Sequence, residues 1–125
     1  MIEDNPLTAP WRARVEAAAV KAMDGLELRT GALRLNVTFV FRRPAGHYGT
    51  GRNAGRLKPS APLYVRTRPD ADKLLRAVGD SITGIVCRDD AQLVIVHAEK
   101  HYGEPACAHI VVQELDPDDD RPTEP

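Results

Sequence analysis

The stretch RPDADKLLRAVGDSITGIVCRDDAQLVIVHAEKHYG, residues 68–103, decides the fold because its apolar residues change period halfway along. Leu74, Leu75, Val78 and Ile82 recur at helical spacing, so a helix is expected to begin near Asp70 or Asp72 and to end at Gly84. Asp72, Arg76 and Asp80 follow at intervals of four and fall along its polar face. Gly79 weakens this helix by about 1 kcal/mol relative to Ala. IVCRDD is then a short apolar run and a turn, and Leu93 to Tyr102 is rich in strand-forming residues.

Upstream, Leu33, Leu35, Val37, Phe39 and Phe41 alternate with Arg34, Asn36, Thr38 and Val40, the pattern of a strand with one buried face. Between this strand and the helix lies RPAGHYGTGRNAGRLKPSAP, residues 43–62, whose four glycines, three prolines and lack of periodicity mark a long loop. Loops of that length are uncommon unless they are functional or disordered. Nearer the N-terminus, Thr8 is a cap for a helix that tolerates Pro10 in its first turn and runs through Trp11, Val15, Ala18, Ala19, Ala22 and Met23 to Gly25. Downstream, Cys107 to Leu115 is a further β-rich run joined to the preceding one by GEPA, and the two read as a hairpin. The expected fold is α+β in two layers: a small mixed sheet with two packed helices. The chain of 125 residues reads as one domain over 1–115 with a basic loop at 43–62, followed by a disordered acidic tail at 116–125.

The formal charge of −1 conceals a strong asymmetry. Residues 1–69 hold 12 of the 17 Lys and Arg and 5 of the 18 acidic residues, whereas residues 70–125 hold 5 and 13. Arg42, Arg43, Arg52, Arg56, Lys58, Arg66 and Arg68 lie in one stretch without an acidic residue. Binding phosphates would relieve their mutual repulsion, and such contacts supply most sequence-independent affinity for nucleic acids. A solvated surface loop is the alternative reading of the same charges.

The acids that follow also admit two readings. Asp70 or Asp72 suits a helix N-cap, and Asp89 with Asp90 suits a turn. Taken together, carboxylates are the oxygen ligands that Mg²⁺ prefers, and such ions activate water and stabilise charge on a phosphodiester. A helix of about 12 residues is roughly 18 Å long, so the Asp89–Asp90 turn reaches the Asp70 end only if the following strand runs back alongside the helix.

The ordered pieces of residues 68–103 resemble the core signature of the RusA family of crossover-junction endodeoxyribonucleases, the Holliday junction resolvases. They are a Pro-Asp-x-Asp start, a basic residue four positions after the second Asp, a Gly, Asp-Asp-Ala-Gln, and a strand ending Lys-x-Tyr. The loop HYGTGRNAGRLKPSAP is similar to the basic loop of one branch of that family, which extends the likeness to most of residues 9–114. The resemblance implies a homodimeric endonuclease that uses Mg²⁺, with Mn²⁺ as a substitute, to make paired symmetric nicks in four-way DNA during recombination and repair.

By position, Asp70, Asp72 and Asp90 match the family's metal-binding aspartates, and Arg76 stands where a catalytic Lys often occurs. Arg keeps the charge but cannot readily donate a proton, so its role would be electrostatic. Asp89 matches the other acid of the pair, and Lys100 matches a basic strand residue expected to touch phosphate. Lys73 joins Lys100 and the seven cations between Arg42 and Arg68 as DNA-binding candidates. Relatives start with a strand and a basic, proline-containing loop, whereas this sequence reaches Trp11 almost at once. Either that strand is absent or the start is set late, and a branched-DNA-binding relative without catalysis is the alternative function.

Other signals are weaker. GTGRNAG lacks the order GxxxxGK[ST] and is not followed by a helix, which argues against a P-loop. His97, His101 and His109 have no zinc-type spacing. Cys87 and Cys107 read as reduced, buried thiols, and Trp11 as a core anchor. No apolar run approaches the roughly 20 residues of a membrane span, and the N-terminus lacks a signal-peptide pattern, so a cytoplasmic protein is expected.

Overall fold

A computed structural model of the chain describes residues 9–115. Helix α1 (Ala9–Met23) leads to strand β1 (Leu33–Phe41), and a long loop connects to helix α2 (Ala71–Ile82). Strands β2 (Leu93–Tyr102) and β3 (Cys107–Glu114) complete the order. The architecture is α+β, with both helices on one face of a small mixed sheet.

The alternation in β1 sends Leu33, Leu35, Val37 and Phe39 into the core, each at most 2% exposed. Leu35, Val37 and Phe39 meet Trp11, Val15 and Ala19 from α1, and Leu74, Ala77, Val78 and Ile82 from α2. Trp11 is the expected anchor, its ring 6.3 Å from that of Phe39. Each large apolar side chain removed from water in this way contributes about 1.5–3 kcal/mol before chain entropy is counted. The other face of the sheet, with Arg34, Asn36 and Thr38 in the middle and Glu99 and His109 on either side of Thr38, is covered by no described element.

The strand order is β2-β1-β3, with β1 parallel to β2 and antiparallel to β3. The expected hairpin between β2 and β3 is therefore wrong: β1 separates them. Their connection crosses the end of β1, where the Gly103 N–H donates to the Phe41 carbonyl at 2.9 Å. A Cβ on Gly103 would lie 3.1 Å from Val40, so the crossing is a close one. Spanning two strand spacings takes about 10 Å, which the five steps from Tyr102 to Cys107 cover easily, so linker length does not distinguish a hairpin from a bridge over a third strand.

The helix expected from Asp70 or Asp72 to Gly84 occupies Ala71–Ile82. The loop is more ordered than its lack of periodicity suggests. It contains 3-10 turns at Ala45–His47 and Gly51–Asn53, and Tyr48 and Leu57 form an antiparallel bridge. Gly51 and Gly55 take positive φ at its bends, while a Cβ on Gly49 would collide with Asn53 at 2.6 Å. The proposed acidic tail and the segment ahead of α1 lie outside the described residues.

Candidate nucleic-acid interface and acidic sites

Asp70 is the N-cap residue of α2 by backbone conformation, but its side chain makes no capping hydrogen bond. Its carboxylate is exposed, with the Lys73 ammonium 3.9 Å away, a contact of little energetic weight at such a surface. Capping therefore does not account for this Asp. Asp72 lies in the first turn of α2, where the helix dipole favours a carboxylate, and Arg76 stands one turn further along on the same exposed side.

Asp89 and Asp90 are at the other end of α2. Asp89 accepts from Ala91 N–H at 2.9 Å, and Gln92 accepts from Asp89 N–H at 3.0 Å, closing a capping box over the turn Asp90–Gln92. The Gln92 amide also donates to the carbonyls of Arg29 and Gly31, tying this turn to the segment before β1. The signature Asp-x-x-Gln was present in the sequence as a capping pattern. The Cys87 thiol nearby is pushed up from its ordinary pKa by burial and by the Asp90 and Asp89 carboxylates, against a hydrogen bond with Thr83.

Strand β2 does run back along α2, but it begins beyond the Asp89–Asp90 turn, so the close of the strand reaches the Asp70 end and the turn does not. Leu93 packs at Gly79, about 13 Å along the helix axis from Asp70, and Lys100 lies at the Asp70 end. Asp90 precedes Leu93 and stays at the far end. Among the described residues no group of three or more His, Cys, Asp or Glu is arranged to hold a metal ion. One chain thus does not bring Asp70, Asp72 and Asp90 to a common ion.

Of the basic candidates, Arg52, Arg56, Lys58, Arg66 and Arg68 are exposed. Arg42 pairs with Glu104 at 3.6 Å. Arg43 is committed to the frame: it donates to the Pro62 carbonyl at 2.7 Å and lies over the Tyr102 ring at 4.4 Å. His47 completes that contact at the edge of Tyr102, 5.2 Å between ring centres. Lys100 donates to the carbonyls of Thr67 and Pro69 at 2.8 and 3.0 Å. The cation-rich loop is consequently fastened at its start by Arg43 and at its close by Lys100, both against the end of β2.

A polycationic loop thus closes onto the start of α2, beside the exposed carboxylates of Asp70 and Asp72. The model of the family described as endodeoxyribonuclease RusA matches residues 2–113, and the chain belongs to that family. No curated protein matches it. No helix among the described residues is long and apolar enough to cross a membrane. Both cysteines are free; Cys87 is buried, whereas Cys107 is only half-buried, 3.5 Å from His109.

Proposed function

We propose that this endodeoxyribonuclease-family chain resolves four-way DNA junctions by paired symmetric nicks, as a homodimer that requires Mg²⁺ and accepts Mn²⁺. The observation that carries the reading is the closure of the basic loop onto the start of α2, which would lay a DNA backbone beside Asp70 and Asp72. In this reading Arg52, Arg56, Lys58, Arg66 and Arg68 hold phosphates, and Arg76 neutralises charge on the reacting group. Asp90, set apart within one chain, joins the other two acids only across a pair of chains, which a two-fold dimer on a four-way junction would provide.

The test is cleavage of a synthetic four-way junction with Mg²⁺ by wild type, Asp70→Asn and Asp90→Asn. Wild type should cut and both variants should bind without cutting; equal cleavage by all three would remove the carboxylates from the mechanism. The separation of the acids in one chain is also what a non-catalytic junction binder would show, and that reading predicts salt-sensitive binding with no product at any Mg²⁺ or Mn²⁺ concentration.

A further inference from the structure

We infer that Lys100 is a positioning residue that sets the start of the carboxylate-bearing helix, in place of the phosphate contact its sequence position suggests. The inference rests on the endonuclease reading. Lys100 pairs in register with Phe39, on the sheet face that carries the helices, so its stem runs over apolar surface while its ammonium reaches outward. There it donates to the carbonyls of Thr67 and Pro69, which leaves one of its three N–H donors for anything else. Both carbonyls precede α2 and have no partner inside the helix; the first helical bond is accepted by the next residue, from Leu74 N–H to the Asp70 carbonyl at 3.0 Å.

The consequence is geometric. Asp70 follows the clamped Pro69 carbonyl directly, and its side chain makes no capping bond of its own. Without the clamp, the peptide that aims Asp70 loses its tie to the sheet. The loop cations Arg52, Arg56 and Lys58 differ in kind, since they stand exposed on the loop and are free to meet phosphate.

Lys100→Met and Lys100→Arg separate the two roles. If Lys100 positions, Lys100→Met binds a four-way junction in Ca²⁺ with wild-type affinity and an unchanged slope of affinity against salt. Its single-turnover cleavage in Mg²⁺ falls by about tenfold to a hundredfold, the scale of loss that a misplacement of about 1 Å brings. The amides of residues 74–77, the first that the helix hydrogen-bonds, exchange faster with solvent in this variant, and Lys100→Arg, whose guanidinium can serve both carbonyls, restores cleavage and protection together. A phosphate contact predicts instead weaker binding, a salt slope smaller by about 0.9, and unchanged exchange, and that result would overturn the inference. Should wild type itself fail to cut junctions, the endonuclease reading falls while the exchange comparison still decides the role of Lys100.

Discussion

Gln92 links parts of the chain more than 60 residues apart through donors to Arg29 and Gly31, and it caps the Asp89 turn at the same time. Asp89 is used in that cap, which leaves Asp90 as the acid of the pair with a carboxylate free for other work. The neighbouring Cys87 is fully buried, and burial together with Asp90 and Asp89 raises its pKa. A thiol reacts as thiolate, so alkylation of the folded protein near pH 8 should label Cys107 first and Cys87 only on unfolding, as mass mapping would show. The sign for stability follows: the unfolded thiol ionises first, so the contribution of Cys87 is full below the unfolded pKa and is lost as pH rises toward the folded one. The stability advantage of wild type over Cys87→Ala should therefore shrink from pH 7 to pH 10. At this scale residue types were readable and their engagements were not. Arg43 and Lys100 look like any other cations in sequence, and only the meeting of Tyr102, Pro62, Thr67 and Pro69 in space shows that both are occupied.

Among the elements, β1 and α2 were legible because each buries one face and so imposes a period on its own residues. The pairing of the last two strands was not, since alternation fixes which face of a strand is buried but says nothing of its neighbour. The ordered turns of the basic loop escaped for a related reason: glycines at positive φ and short bridges create no repeat. Helix α2 retains a correctable weakness at Gly79, where an added Cβ would meet only the Leu93 methyl at 3.6 Å, an ordinary contact. Gly79→Ala should stabilise the protein by about 1 kcal/mol, measured as a higher urea midpoint with an unchanged m-value.

Taken whole, the molecule sets its charges apart. The cation-bearing loop is anchored, through Arg43 on Tyr102 and Lys100 on Thr67 and Pro69, at the end of α2 that carries Asp70 and Asp72, and Asp89 and Asp90 stand at the opposite end. If two chains complete each other's acidic set, a mixture of Asp70→Asn and Asp90→Asn proteins should regain cleavage that neither shows alone, because a mixed dimer holds one site with Asp70 and Asp90 both intact. The products should then be single nicks rather than paired ones, resolved on a denaturing gel. The absence of any regained activity would place all the required acids in one chain.

The central place of β1 also bears on how the polypeptide can be divided. Residues 51–60 are exposed throughout and include two trypsin sites, Arg52 before Asn53 and Arg56 before Leu57, whereas Lys58 precedes Pro59 and resists the protease. A cut there leaves β1 on one fragment and both of its partners on the other, gripped from Leu33 to Phe41 along β2 and from Leu33 to Val40 along β3. Brief digestion should give a nicked species that stays together on gel filtration and separates only in denaturant, and bound junction DNA should shield the loop from the protease. Two separately expressed fragments that meet at this loop should likewise reassemble, one supplying the middle strand and the other its two neighbours.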